Sequence, residues 1–315
     1  MEQLVNFINE HKHDLSKYSV NTYANCINKI LTLCKTDDIS YLYNNADNVI
    51  KIINNEYNNS NTRKMKYASL RLLLNIYIDT KTHKDTKAIT DANNKYNDEI
   101  ITCTEDLKKN NTHTKTEEQK ANWMTATDVN TLDKILSDKV PDIIRTQNDL
   151  INLRNYIIYK FYNEQPSRND VADSKFMYYK KGMVLSDEYN YIILNKSKKT
   201  IQYIMNVYKT AKLQGKKTID INNDLYDLFN KYYIALKRFN NAEYFLYNDD
   251  CKTPLSRNRL GVIYSGLGKE INKKLGTTLN RHIAISNLVP IKAMEDLANK
   301  MGNSVNIQTT TYAKS

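Results

Sequence analysis

The 315-residue sequence has little glycine, proline or cysteine. Only 7 Gly and 4 Pro are present, which excludes collagen-like and low-complexity chains. The 4 cysteines form no Cys-x-x-Cys pair, so neither a zinc site nor a disulfide framework is indicated. No apolar run approaches the ~18 residues of a membrane span, and the first residues lack the basic and apolar segments of a secretory signal. We therefore expect an intracellular protein of a reducing compartment, with no membrane partner.

Lysine and tyrosine, in contrast, are abundant. Lys plus Arg number 46 against 35 Asp plus Glu, which gives a formal net charge of +11, and the 24 Tyr far outnumber 6 Phe and 1 Trp. Such a basic chain favours a polyanionic partner, and nucleic acid is the usual one. Lys, Asn, Ile and Tyr also share A/T-rich codons, so the composition hints at a virus or mobile element, and codon bias is the alternative source of the charge.

The apolar pattern predicts a mainly α protein with a small antiparallel β-sheet. In the first part, Ser19 is expected to cap one helix, and a second helix runs from about 60 to 77 with Met65, Leu72 and Ile76 on its apolar side. The cations of this second helix lie mostly elsewhere around it: Arg63, Lys64, Lys66 and Arg71. An apolar face with a basic face suits a domain that clamps DNA. The alternative is a solvated basic face on an ordinary bundle helix.

Composition divides the chain into residues 1–85, a helical or linker segment at 86–120, and a second domain at 121–315. The second domain opens on a capping box from Thr125 to Asp128, and a helix follows at about 149–161. Short β-type runs at 191–194, 200–208 and 218–221 predict three antiparallel strands among helices. We therefore predict two domains, an N-terminal helical one and a mixed α and β one.

The chemistry-bearing residue types occur in a fixed order along the second domain. The segments that carry them are Pro166-Ser167-Arg168, Tyr208-Lys209-Thr210, Thr278-Leu279-Asn280-Arg281-His282, Met301-Gly302-Asn303-Ser304 and Thr311-Tyr312. This order resembles the tyrosine recombinase (phage integrase) family, in which two arginines, a hairpin lysine and a tyrosine act on DNA. The first 85 residues resemble the core-binding domain of that family by pattern alone.

The resemblance implies a role for each matched residue. Arg168 and Arg281 would be the two catalytic arginines, Lys209 the hairpin lysine and Tyr312 the nucleophile. Tyr312 follows Asn303 by nine residues, in register for that role. Thr278 and Asn303 occupy two positions at which the family has histidine. No cofactor and no metal is implied, because a covalent phosphotyrosyl link conserves the free energy of the phosphodiester for religation.

These residue types fit phosphoryl transfer. Arginine binds phosphate oxygens bidentately and stays charged at any working pH. A tyrosine can attack phosphorus to form a covalent intermediate, and a lysine can protonate the leaving deoxyribose oxygen. Lys212 is the second choice for that acid and also a candidate DNA contact. Thr278 and Asn303 can hydrogen-bond a phosphate but cannot shuttle a proton near neutral pH.

Each residue also has a structural interpretation. Arg168 could instead pair with Asp170 or Glu164, and the hairpin lysines could simply be solvated. His282 fits a buried structural neighbour of Arg281 better than a substitute base.

The resemblance implies a metal-independent enzyme that cleaves and rejoins double-stranded DNA through a 3′-phosphotyrosyl intermediate, as a synaptic tetramer on DNA. Type IB topoisomerase-like chemistry, a DNA-binding relative with impaired catalysis, and a helical scaffold are the alternatives.

Overall fold

The computed structural model describes residues 2–81, 85–110, 115–240, 242–286, 291–304 and 307. The chain divides into two units, Met1–Thr112 and His113–Ser315. Across the described ranges, no helix is long and apolar enough to cross a membrane. Nor do these ranges contain a group of three or more His, Cys, Asp or Glu side chains that could hold a metal ion. All four cysteines are free thiols.

The first unit is a helical bundle. Its helices are α1 (Glu2–His11), α2 (Lys17–Leu33), α3 (Tyr41–Asn44), α4 (Ala46–Glu56), α5 (Ser60–Thr80) and α6 (Thr86–Asn110). α5 packs along α6 and also contacts α2, and the core between them includes Ile27, Leu73 and Tyr96. The segment predicted as a helical linker from residue 86 is therefore mostly α6, a helix of this unit.

One local prediction in this unit was wrong, and a second was wrong in part. The α2 helix begins at Lys17 with Ser16 as its N-cap, and Ser19 donates its backbone N–H to Ser16 Oγ instead of capping. On α5, Met65 is 43% exposed, whereas Tyr67 and Leu74 are fully buried. Ile76 is buried as predicted and Leu72 packs against the core, so the prediction fails only at Met65. The buried face is wider than periodicity alone indicates, because both α2 and α6 cover this helix.

The second unit combines eight helices and one sheet within the described residues. Its helices are α7 (Glu117–Asn122), α8 (Ala126–Asp138), α9 (Gln147–Glu164), α10 (Ala211–Gln214), α11 (Tyr226–Phe239), α12 (Arg257–Leu267), α13 (Thr277–Ser286) and α14 (Ile291–Met301). Its strands are β1 (Lys175–Tyr178), β2 (Tyr191–Asn195), β3 (Thr200–Met205) and β4 (Lys217–Ile221). The mainly α class with a small sheet is confirmed, as is the capping box at Thr125 and Asp128.

The sheet has the order β1-β2-β3-β4. The predicted antiparallel strands are β2, β3 and β4, with Ile201 opposite Ile221. β1 was not predicted; it pairs in parallel with β2, so the sheet is mixed. Four residues with no regular alternation give too weak a pattern to predict a strand. The sheet packs through Phe176 and Tyr203 against a helical core that contains Phe161 of α9.

Candidate active site

Arg168 lies directly after α9, at the start of a 3-10 turn over Asn169–Val171. The chain leading to it is buried, and the arginine itself is half-buried. Its Nη2 donates to Asn303 Oδ1 at 3.0 Å. The neighbouring Asp170 pairs with Arg257 at 2.7 Å instead, and burial raises the pKa of Asp170 while Arg257 opposes that rise. Arg168 therefore points its guanidinium toward the end of α14.

Arg281 lies on α13 and is only 5% exposed. Its Nη1 donates to the Ser167 carbonyl at 3.2 Å, and its Nη2 donates to Thr278 Oγ1 at 3.1 Å. Thr278 is one helical turn earlier, which is the spacing that brings two side chains together on a helix. Because Ser167 directly precedes Arg168, the second arginine holds the backbone that carries the first. The guanidinium of Arg281 therefore bonds the backbone directly before Arg168, although the two residues are far apart in sequence.

Asn303 follows the last turn of α14 and is 7% exposed. The helix ends at Met301, and the next residue, Gly302, has a φ of +67°, the left-handed conformation that favours glycine. A Cβ at Gly302 would lie 3.3 Å from the Tyr208 ring. Among the described residues, the buried Asn303 Nδ2 has no hydrogen-bond acceptor. A buried amide without a partner is uncommon and calls for an explanation.

The connection between β3 and β4 reaches the same place. Tyr208 donates its hydroxyl to the Gly215 carbonyl at 2.7 Å, which closes the connection on itself. Thr210 Oγ1 donates to the Gly302 carbonyl at 3.1 Å. Lys209 lies between these two residues; it is exposed, and no hydrogen bond or ion pair involves it among the described residues. The structure therefore places the predicted hairpin lysine one residue from a contact with the Asn303 segment.

The other lysines of this connection differ from Lys209. Lys216 pairs with Asp187, and Lys217 Nζ donates to the Asn299 carbonyl at 2.9 Å. Burial lowers the pKa of Lys217. Lys212 is exposed on the short helix α10. Of the four, Lys209 and Lys212 are the ones whose amines have no partner in the described part of the chain.

Sequence reasoning missed the residues that hold α14 in place. Gln165 is buried, and its Nε2 donates to the Lys300 carbonyl at 2.7 Å. Lys217 and Thr210 also bond carbonyls at the end of α14, so three side chains hold this end of the helix. Helix C-termini leave such carbonyls without partners. No sequence signal links these residues, because Gln165 and Lys300 are 135 positions apart.

Tyr312 lies outside the described residues, so its position relative to the arginines stays a prediction from spacing. His282 is buried on α13. It lines a pocket with Thr278 and with Glu118 and Asn122 of α7. Its burial agrees with the structural interpretation of this histidine.

The cations predicted to contact DNA from α5 do not form one exposed face. Lys66 is only 9% exposed, and its Nζ lies 3.4 Å from Cys26 Sγ. Arg63 bonds to Asn54 and forms an ion pair with Asp106 at 3.6 Å. Lys64 and Arg71 are half-buried. The expectation of four solvated cations is wrong for Lys66, because it faces α2 and not water.

No protein-family model matches the chain, and no curated protein sequence matches it. Among solved structures, a crystal structure of XerA recombinase matches with a TM-score of 0.42 and 12% sequence identity. The match covers 100% of this chain and 94% of that chain. The side-chain geometry at the two arginines and Asn303, and not this match, carries the functional proposal.

Proposed function

We propose that the protein is a DNA strand transferase of the tyrosine recombinase type, which cleaves and rejoins double-stranded DNA. The observation that carries this proposal is the arrangement at the end of α14. Arg281 bonds to the Ser167 carbonyl directly before Arg168, and Asn303, whose Oδ1 accepts from Arg168, has a buried Nδ2 that lacks an acceptor among the described residues. Two cations and a spare N–H donor suit an oxyanion, and phosphate is the oxyanion that arginines bind bidentately.

The reaction would proceed by attack of the Tyr312 hydroxyl oxygen on a DNA phosphorus. The bond from phosphorus to the 5′ oxygen breaks, and a 3′-phosphotyrosyl link forms. Negative charge on the non-bridging oxygens is greatest in the transition state, where Arg168 and Arg281 stabilise it. Rejoining is the reverse attack by a 5′ hydroxyl, so no external energy source is needed.

Lys209 is the proposed proton donor of this reaction. The departing 5′ oxygen must gain a proton, and an ammonium within reach supplies it. Exposure of Lys209 supports this role, as does its position next to Thr210, whose hydroxyl bonds to the Gly302 carbonyl. The tyrosine proton goes to solvent or to a neighbouring base, since neither Thr278 nor Asn303 can accept one near neutral pH.

Partners follow from the chemistry. The substrate is double-stranded DNA, and exchange of strands between two duplexes needs four active sites, so we propose a synaptic tetramer on DNA. Exposed cations such as Lys212 would contact the phosphate backbone. The A/T-rich codon bias leads us to propose a viral or mobile-element origin.

A suicide substrate tests this function. Duplex DNA with a 5′-bridging phosphorothiolate is incubated with the full chain, because the sulfur leaves without an acid and traps the covalent adduct. We expect an adduct on denaturing gels, and we expect none with Tyr312→Phe. Tyr191→Phe is a matched control that removes a hydroxyl bonded to the Ser186 carbonyl. An adduct that persists in Tyr312→Phe would exclude this nucleophile, and no adduct with any DNA would exclude the enzyme.

A DNA-binding relative with impaired catalysis is the second candidate. The observation in its favour is that Thr278 and Asn303 cannot shuttle protons, and that Thr278 is already engaged by Arg281. This alternative predicts DNA binding that weakens steeply with salt but gives no adduct, even on phosphorothiolate DNA. Relaxation of supercoiled plasmid without exchange of strands would instead indicate topoisomerase-like chemistry.

A further inference from the structure

We infer that Tyr162, at the end of α9, is a positioning residue that fixes Arg168 and Arg281 relative to each other; this inference rests on the proposed function. Tyr162 is 1% exposed and does not itself reach the site. It bonds instead to Asn169, which directly follows the first arginine, and to Asn280, which directly precedes the second. One residue thus holds both arginine-bearing segments.

The hydrogen bond between Asn280 and the Tyr162 carbonyl is possible because a proline follows α9. In a continuous helix, the Tyr162 carbonyl would accept from the N–H of residue 166. Residue 166 is a proline and has no N–H, so this carbonyl is left for another donor. Asn280 Nδ2 donates to it at 2.6 Å. The end of α9 and the start of α13 are therefore joined beside Arg281.

The Tyr162 hydroxyl makes the second hydrogen bond, to the segment that carries Arg168. Tyr162 Oη donates to Asn169 Oδ1 at 2.7 Å, and Asn169 Nδ2 in turn donates to the Arg257 carbonyl at 2.9 Å. Burial raises the pKa of Tyr162 well above its ordinary value, so the hydroxyl remains a donor. With Asn169 Oδ1 and Asn280 Nδ2 both bonded to Tyr162, the turn that carries Arg168 cannot shift without breaking a hydrogen bond to this residue.

The geometry matters because misplacement of catalytic groups by about 1 Å costs about 100-fold in rate. Tyr159 provides a matched control on the same helix. It is fully buried, and its hydroxyl donates to the Val129 carbonyl at 2.7 Å. That bond joins α9 to α8 and does not involve either arginine segment. Tyr162→Phe and Tyr159→Phe each remove one buried hydroxyl bond.

The experiment compares these two variants of the full chain. We expect a similar fall in Tm for both, of a few degrees, because each loses one buried hydrogen bond. Only Tyr162→Phe is expected to slow adduct formation on phosphorothiolate DNA, by about 10- to 100-fold at saturating DNA. DNA affinity should match between the two. Equal adduct rates in both variants would overturn the inference.

Two further measurements keep the inference separate from the proposed function. The rise in Tm that inorganic phosphate produces, relative to chloride at equal ionic strength, reports anion binding without any reaction. We expect a smaller rise for Tyr162→Phe than for Tyr159→Phe, even if the wild type forms no adduct with any DNA. If Tyr162→Phe fails to fold, Asn280→Ala is used instead, because it removes the hydrogen bond to the Tyr162 carbonyl. Equal rises in Tm with phosphate for Asn280→Ala and Tyr159→Phe would then overturn the inference.

Discussion

The helix α5 and the segment from residue 209 to residue 217 carry four cations each, and their cations are used differently. In α5, Lys66 faces the neighbouring helix α2, and Arg63 pairs with Asp106 of α6. In the segment from 209 to 217, which includes the first residue of β4, Lys216 and Lys217 are engaged, but Lys209 and Lys212 remain exposed. Both segments look equally basic in sequence. The difference teaches that a charge run identifies a candidate surface, whereas the partner of each amine decides its role.

Within the β3 to β4 connection, the largest expected effect separates Lys209 from Lys216. Lys209→Ala should slow cleavage of ordinary phosphodiester DNA by about 100- to 10,000-fold, the typical contribution of a general acid. Cleavage of 5′-bridging phosphorothiolate DNA should stay near the wild-type rate, because that leaving group needs no proton. Adduct formation on the two substrates measures this.

Lys216→Ala is the control for Lys209, because its amine pairs with Asp187 on the protein surface. We expect its rates on both substrates to stay within about threefold of wild type, since exposed ion pairs contribute little. If Lys216→Ala lost phosphodiester cleavage and Lys209→Ala kept it, the proposed difference between exposed and paired lysines would be wrong. If Lys209→Ala slowed cleavage of both substrates equally, Lys209 would not be the general acid.

On α5, the expected effect of Lys66 is on stability. Among the described residues, no carboxylate lies within ion-pair distance of its buried amine, whose contacts are Cys26 Sγ at 3.4 Å and the Tyr57 ring at 5.3 Å. Burial of a charge without a partner is costly. Lys66→Met removes the amine but keeps an unbranched apolar side chain of similar shape, so we expect the free energy of unfolding to rise by about 1 kcal/mol.

Chemical denaturation measures this change in Lys66→Met. A fall of more than about 1 kcal/mol would mean that the amine is a stabilising contact, and the distinction between the two segments would then weaken. Leu70→Ala is a destabilising reference on the same helix, since Leu70 is buried in the core of the first unit. Its loss should amount to about 2–5 kcal/mol.

The sequence allowed some of these features to be predicted and not others. Thr278 and Arg281 are three positions apart on one helix, so their contact follows from helix geometry. The strands β2, β3 and β4 followed from short β-type runs in the sequence. In contrast, Arg168 and Asn303 are 135 positions apart, and their contact depends on how α14 docks. Tertiary packing also decided which face of α5 is buried, which is why Lys66 was misassigned.

The smallest expected effect concerns Lys64, which neighbours Lys66 in sequence but is half-buried with no hydrogen bond or ion pair in the described ranges. If this amine contacts a DNA phosphate, Lys64→Met lowers the slope of log affinity against log salt by about 0.9, and affinity at 0.15 M salt falls by about fivefold. Lys66→Met is the matched control and should leave the slope unchanged. Titration of labelled duplex at several salt concentrations measures both slopes. Equal slopes for wild type and both variants would mean that α5 makes no phosphate contact through either lysine, and DNA binding would then depend on the exposed cations of the second unit.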